Sequence, residues 1–223
     1  MEPSDPAETA GVSVIVPAYN AGATLQRTLN SVLQQTYALW EVIIISDGST
    51  DDTRTIAEGW ARRDQRVRVL YQERSGVSAA RNRGLREARY PFVLFLDADD
   101  RIAPTHLERM AGRLTADPSL DAVHCGSQHI LPSGAAGRPR FGSDKSDLFP
   151  FLAFQCHFDI HACVLRRDVA LAAGGFDLSL TTCEDWDFYQ KVARTGARFG
   201  RVPEVLAFTT SAPALRVRIA GAV

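Results

Sequence analysis

The sequence has no apolar run long enough to cross a bilayer; its longest candidates, such as Phe92 to Leu96, have the length of a strand. The first eleven residues, MEPSDPAETAG, lack both the basic start and the apolar core of a signal peptide. Charge of one sign is also lacking, because 25 basic and 26 acidic residues are well mixed along the chain. We therefore expect a cytoplasmic protein without a membrane span of its own that does not bind nucleic acid.

Several metal and nucleotide motifs are absent as well. The four cysteines, Cys125, Cys156, Cys163 and Cys183, show no C-x-x-C spacing and no histidines at zinc-finger distances, so we expect buried or unreactive thiols. No G-x-G-x-x-G follows the first apolar run, and no G-x-x-x-x-G-K-[ST] occurs anywhere. These absences argue against a dinucleotide-dependent oxidoreductase and against a P-loop enzyme.

Apolar runs of strand length alternate with amphipathic segments in the first half of the chain, which predicts an α/β fold with a mostly parallel sheet. The runs predict strands over 12–16, 41–45, 67–71 and 92–96, and the segments between them predict helices. A strongly patterned helix is predicted over 184–195, after a Gly-, Pro- and Ser-rich loop at 132–146. We predict a disordered tail (1–11), one domain (12–208, divided into 12–100 and 101–208) and a separate C-terminal tail (209–223).

Polar clusters follow three of the predicted strands, at 17–20, 47–50 and 97–100. Open α/β sheets bind ligands at the carboxyl ends of their strands, so these clusters predict a shared site. Asp97 and Asp99, one residue apart, offer the hard oxygen ligands that Mg²⁺ and Mn²⁺ prefer. The alternative is an acidic turn in which Asp100 only caps a helix, but three carboxylates at the end of a buried strand need a compensating cation or donors.

Two other polar groups have both a structural and a chemical interpretation. Asp47 precedes a glycine in a turn that caps a helix, and its carboxylate is also placed to accept from a nucleobase. Glu184 and Asp185 begin the last helix, where acids stabilise the helix dipole. His157 and His161, four apart in a strand-like pattern, are expected to have a structural or acceptor-side role rather than to bind metal.

Six segments together resemble the family 2 glycosyltransferases of the GT-A fold, from about Val12 to Phe208. They are VSVIVPAYNAGATLQRTLNSVLQQT, IISDGSTDDT, SGVSAARNRGL, FLDADD, GGFD and CEDWDFYQKVARTG, in the order and spacing of that family. The resemblance implies a Rossmann-like, mostly parallel sheet flanked by helices, with an acceptor-side portion at the C-terminal end. It also implies inverting transfer of a sugar from a nucleotide diphosphate to a hydroxyl.

The resemblance assigns roles to particular residues. It implies Asp185 as the general base, with Glu184 as the alternative, and a Mg²⁺ or Mn²⁺ ion on Asp99 and Asp97. The nucleotide sugar is expected to contact Pro17, Ala18, Tyr19, Asp47, Arg81, Asp97, Ala98 and Asp99. The acceptor would be a glycan or a lipid-linked sugar, the latter bringing the protein to the inner face of the membrane, and the product a glycan or cell-surface polysaccharide.

The chain departs from the family pattern in two places. Ser46 replaces the first aspartate of the usual turn, and the segment Ala207 to Ser211 lacks the histidine that family members often carry near the C-terminus. The second departure motivates an alternative function, that of a nucleotide-sugar-binding protein with impaired catalysis.

Overall fold

The computed structural model describes residues 10–131 and 133–210, so most of the predicted N-terminal and C-terminal tails lies outside it. The first half alternates strands and helices as predicted. In chain order these are β1 (Val12–Ala18), α1 (Leu25–Leu33), β2 (Trp40–Asp47), α2 (Thr53–Arg63), β3 (Val67–Gln72), α3 (Val77–Glu87) and β4 (Phe92–Phe95). Ala10 is buried, although it belongs to the segment predicted as a disordered tail, 1–11.

The second half is less regular. Its elements are β5 (Arg101–Ile102), α4 (His106–Ala116), β6 (Ala122–His129), α5 (Phe149–Leu152), β7 (Cys163–Arg166), α6 (Arg167–Ala172), α7 (Glu184–Arg194) and β8 (Phe199–Thr209), with a 3-10 turn at Ile160–Ala162. Thr209 therefore ends a strand, one residue past the predicted domain boundary. Within the described residues, no helix has the length and apolar character needed to span a membrane.

All eight strands form one sheet in the order β3-β2-β1-β4-β7-β6-β8-β5. The pairs β1–β2, β2–β3, β1–β4 and β6–β8 are parallel, and the other three are antiparallel. The strands β2 and β3 lie successively on one side of β1, and β4 lies on its other side. The crevice beyond the carboxyl ends of β1 and β4 is thus a topological switch point, where open sheets bind ligands.

Pro17 does not end β1, which was predicted to stop at Val16. The carbonyl of Ile15 accepts a hydrogen bond from the N–H of Leu96 at 2.9 Å, so the backbone polar groups of Ile15 point toward the β4 side of β1. The backbone nitrogen of Pro17, two residues later, points to the same side. Pairing with β4 ends at Ile15, while pairing with β2 continues to Ala18. The missing N–H of Pro17 therefore costs no bond in the sheet, and β1 carries its last residues to the crevice.

The strand interpretation of His157 and His161 is wrong. His161 lies in the 3-10 turn, and His157 precedes that turn in irregular chain. The strands β6 and β8 were not predicted from the sequence; they extend the sheet beyond β7, which pairs with β4. In β6 the polar residues His124 and Ser127 are buried, and β8 contains Pro203 and Glu204, so neither strand has the β-branched run that marks β1 and β2.

An aromatic cluster fixes the start of α7 against the sheet. Phe176 stacks on Phe188 of α7 with ring centroids 4.2 Å apart, and Phe95 of β4 meets Phe176 edge-on at 4.8 Å. All three rings are buried. Such pairs add specific geometry to the burial of apolar area, so they hold the acidic start of α7 near the carboxyl end of β4.

Close packing of α3 on β1 predicts different effects for two alanine substitutions. A Cβ added at Gly84 of α3 would overlap Cγ2 of buried Ile15, whereas one added at Gly59 of α2 would meet nothing within 4 Å. Gly84→Ala should lower the free energy of unfolding by roughly 1–3 kcal/mol. Gly59→Ala should raise it by up to about 1 kcal/mol through helix propensity. Urea unfolding of both variants checks this, and equal shifts would contradict the packing account.

Candidate donor and acceptor site

A cleft of about 460 Å³ opens at the switch point. We call it the donor cleft, after the nucleotide-sugar donor that the resemblance predicts for it. Its walls come from the ends of β1 and β4, the starts of α1, α3 and α7, and the loops beside them. The residues that line it are Pro17, Tyr19, Asn20, Ala21, Thr24, Val77, Arg81, Asp97, Ala98, Asp99 and Glu184. Seven of the residues predicted for the site are in this set; Ala18, Asp47 and Asp185 lie outside the lining.

Arg81 joins the two acidic clusters. Its Nη2 donates to Oδ1 of Asp97 at 2.7 Å, and its Nη1 donates to Oε1 of Glu184 at 2.9 Å. The Arg81 side chain is only 3% exposed. Burial alone would lower the pKa of Arg81, but the two carboxylates more than offset it, and the pKa is raised. The guanidinium is therefore a fixed positive charge between Asp97 and the start of α7.

The buried carboxylate of Asp47 is occupied by hydrogen bonds from the chain itself. Oδ1 accepts from Nε2 of Gln72 at 2.9 Å and from the N–H of Ser75 at 2.7 Å, and Oδ2 accepts from the N–H of Gly76 at 2.9 Å. These bonds hold the loop between β3 and α3, which leads into the helix that carries Arg81. Asp47 thus shapes one wall of the site from behind.

Asp99 and Asp100 have different surroundings although they are adjacent. Asp99 lines the donor cleft, and its pKa is raised by burial and by the charge of Asp97. Asp100 is buried, and burial, with the charges of Asp97 and Asp99, raises its pKa to about 8. Oδ1 of Asp100 accepts from the N–H of Thr210 at 3.0 Å, and Oδ2 lies 3.1 Å from Nδ1 of His161.

His161 therefore supports the acidic loop from beneath the sheet. Its pKa is lowered, chiefly by burial, which favours the neutral imidazole. His161 and Thr210 are the residues that sequence reasoning did not connect to the acidic cluster. No short-range signal links them to Asp100, because they lie 61 and 110 residues away along the chain.

Asp185 lies beside the donor cleft, in the first turn of α7. Its Oδ1 accepts from the N–H of Trp186 at 2.7 Å, and burial raises its pKa. Trp186 in turn donates from Nε1 to the carbonyl of Leu152 at 2.6 Å, which ties the start of α7 to α5. A partly buried carboxylate with a raised pKa is the kind of group that accepts a proton near neutral pH.

Arg74, at the mouth of the donor cleft, was not predicted for the site, whereas Asn20 belongs to the polar cluster predicted at 17–20. The guanidinium carbon of Arg74 lies 3.1 Å from the centroid of the Tyr19 ring, so it covers one face of that partly exposed ring. Asn20 has a left-handed backbone, with φ of 46°, and its Oδ1 accepts from the N–H of Thr50 at 2.9 Å. This bond ties the loop after β1 to the loop after β2.

A metal ion at this site would need ligands beyond the protein. Across residues 10–131 and 133–210, no group of three or more His, Cys, Asp and Glu side chains is arranged to hold one. Asp97 and Asp99 supply carboxylate oxygens, the donors that Mg²⁺ and Mn²⁺ prefer, and one oxygen of Asp97 is already taken by Arg81. The pair fits an ion that is completed by substrate phosphates and water.

The buried position of Arg81 predicts a large cost for its removal. Arg81→Met should lower the free energy of unfolding by roughly 3–5 kcal/mol, because Asp97 and Glu184 would face each other without a cation. Arg109→Met is the matched control, since the exposed Arg109 pairs with Glu204 at 3.4 Å and should cost about 0–1 kcal/mol. Similar losses in chemical denaturation would show that Arg81 does not bridge a buried pair.

The fold is shared with solved glycosyltransferases. Residues 1–349 of TarS from S. aureus superpose with a TM-score of 0.74 at 25% identity, covering 90% of this chain and 60% of that one. TarS has also been crystallised with UDP-GlcNAc. The mannosyltransferase PcManGT from Pyrobaculum calidifontis, in complex with GDP-Man and Mn²⁺, superposes with a TM-score of 0.66 at 25% identity. The match covers 92% of this chain and 58% of that one.

Sequence relatives agree with the fold. The uncharacterized glycosyltransferase YibD of Escherichia coli is 41% identical over 117 residues, which is 52% of this chain and 34% of YibD. The chain spans about a third of the length of the curated relatives of this kind. The family model described as glycosyl transferase family 2 matches residues 13–174. The six motifs, the GT-A architecture and this match together place the chain in glycosyl transferase family 2.

Proposed function

We propose that this protein transfers a sugar from a nucleotide diphosphate to a hydroxyl acceptor, with inversion at the anomeric carbon. The observation that carries the proposal is the arrangement around Arg81. The donor carboxylates Asp97 and Asp99 lie on one side of it, and Glu184, followed by Asp185, lies on the other. The donor cleft therefore offers groups for the leaving diphosphate, and Asp185 lies beside it as a base for the attacking hydroxyl.

The nucleotide sugar would lie across the ends of β1 and β4. Pro17 and Ala18 end β1 and Tyr19 follows it; Pro17 and Tyr19 line the donor cleft, which suits a nucleobase and ribose. The predicted contact of Asp47 with the base stays a prediction. Its three hydrogen bonds favour a supporting role for this carboxylate, which holds the loop from Gln72 to Gly76 as a wall of the base subsite.

The charges of the donor cleft favour the binding of a divalent ion. Asp97, Asp99 and Glu184 line it against the single cation Arg81, so a diphosphate would meet a surplus of like charge. Asp99 and Asp97 would hold Mg²⁺ or Mn²⁺, which when bound supplies Lewis acidity to the leaving diphosphate. The Mn²⁺ reported with the mannosyltransferase supports this assignment.

The transfer itself needs a base on the acceptor side. The acceptor oxygen would bond to the anomeric carbon as the bond to the diphosphate oxygen breaks on the opposite face, so the configuration inverts. The hydroxyl proton passes to the carboxylate of Asp185, and the electron pair leaves with the diphosphate. Asp185 is favoured over Glu184 because Oε1 of Glu184 already accepts a hydrogen bond from Arg81 at 2.9 Å, whereas burial raises the pKa of Asp185.

The acceptor is proposed by chemistry alone, as a hydroxyl of a glycan or of a lipid-linked sugar used for cell-surface polysaccharide. A lipid-linked acceptor would bring this cytoplasmic protein to the inner face of the membrane. The alternative remains a nucleotide-sugar-binding protein with impaired catalysis, motivated by the histidine missing from 207–211. A nucleotide sugar that binds but is not turned over would favour this alternative over the transferase.

Nucleotide diphosphate binding should depend on divalent metal. Calorimetry with UDP and GDP, in Mn²⁺ or Mg²⁺ and again in EDTA, should show affinity only with metal, because Asp97 and Asp99 otherwise repel the ligand. Asp99→Ala should abolish the effect of metal. Asp52→Ala is the control, since Asp52 is exposed at the start of α2 and makes no capping hydrogen bond. Equal affinity with and without metal would contradict the assignment.

Asp185→Asn should slow transfer without weakening donor binding. The amide keeps the size of the side chain but cannot accept the hydroxyl proton, so single-turnover transfer at saturating donor should fall by a factor on the order of 10² or more. Donor affinity, measured separately, should stay within a few fold. Glu184→Gln is the matched variant, and a larger loss there would assign the base to Glu184. Near-normal transfer in both variants would leave helix stabilisation as the role of the pair.

A further inference from the structure

A second cavity, of about 390 Å³, lies near the donor cleft. It lies between α1 and the strands β5 and β8, and its walls include Arg27, Asn30, Gln34, Arg101 and Phe208. Arg27 connects the two spaces, because its Nη2 donates to the carbonyl of Asp99 at 2.8 Å. We call this space the arginine cavity. Nothing in the proposed transfer reaction uses it.

The charge of the arginine cavity is opposite to that of the donor cleft. Two guanidinium groups line it, and no acidic side chain does. Within the part of the chain that the structure describes, neither Arg27 nor Arg101 forms an ion pair with a carboxylate. The lining of the arginine cavity thus carries two positive charges and no negative one, which attracts an anion.

The hydrogen-bonding groups of the two arginines are also incompletely used. Within residues 10–131 and 133–210, Arg27 donates only through Nη2, to the carbonyl of Asp99 and to the hydroxyl of Thr210, which leaves Nε and Nη1 available among these residues. Nε of Arg101 is buried without an acceptor, and its guanidinium lies 5.7 Å from the centroid of the Phe208 ring. A buried N–H without an acceptor costs free energy that a bound oxyanion would return.

We propose that the arginine cavity binds a phosphate-type oxyanion, either as free phosphate or as a phosphate carried by a sugar. A tetrahedral oxyanion offers several oxygens to donors that come from different directions, and guanidinium groups match it well. Arg27 and Asn30 of α1 would approach from one wall and Arg101 of β5 from the other. The site is distinct from the diphosphate position at Asp97 and Asp99, and it does not require the proposed transfer activity.

The test uses the full chain in EDTA, so that metal-bridged binding in the donor cleft is absent. Inorganic pyrophosphate is titrated by calorimetry, and saturable binding with one site per chain is expected. Arg101→Gln and Asn30→Asp should each weaken it about tenfold or more, since each removes or opposes a charge-assisted bond. Asn30→Asp keeps the shape of an exposed side chain, so it tests the proposal even if Arg101→Gln fails to fold.

Two further variants locate the bound anion. Arg109→Gln removes an exposed charge on α4 and should leave the affinity unchanged. Arg74→Gln removes the arginine beside Tyr19 and should also leave it unchanged. The absence of saturable binding, equal losses in all variants, or a loss confined to Arg74→Gln would overturn the proposal. Repeating the titration with inorganic phosphate and with glucose 1-phosphate identifies the source of the oxyanion. Tighter binding of inorganic phosphate assigns the site to free phosphate, and tighter binding of glucose 1-phosphate assigns it to a phosphate carried by a sugar.

Discussion

The paired hydrogen bonds of Arg81 are the interaction on which the site depends. They join a helix in the first half of the chain to the carboxyl end of β4 and to the start of α7, across sequence separations of 16 and 103 residues. A guanidinium this deeply buried is costly to desolvate, so it persists only because both carboxylates contact it. Without it, the donor carboxylates and the proposed base would repel one another across a narrow cleft.

The sheet explains why these groups meet. The reversal of strand order at β1 opens the crevice, and the aromatic cluster of Phe95, Phe176 and Phe188 brings α7 to its edge. Asp100 also anchors the acidic loop, since its buried carboxylate contacts both His161 of the 3-10 turn and the N–H of Thr210, just after β8. The acidic loop is therefore held by two segments of the second half, while the side chains of Asp97 and Asp99 line the donor cleft.

Much of the first half could be predicted from sequence because its signals are local. Continuous β-branched runs marked β1 and β2, and polar clusters marked where those strands end. The second half resisted prediction for a physical reason. In β6 a buried histidine and serine replace apolar residues, and β8 is interrupted by Pro203 and Glu204, so neither segment alternates as an ordinary strand does. The link from Arg81 to Glu184 was likewise invisible, since only the folded sheet brings them together.

We infer that a donor bound at Asp97 and Asp99 is turned over by this chain. The most direct measurement is release of nucleotide diphosphate from a panel of UDP-, GDP- and dTDP-sugars, with simple glycosides as acceptors, in Mn²⁺, Mg²⁺ or EDTA. The account predicts metal-dependent release from at least one donor, with a transferred product of inverted anomeric configuration. Tight, metal-dependent binding of a donor with no release, or a product with retained configuration, would contradict it.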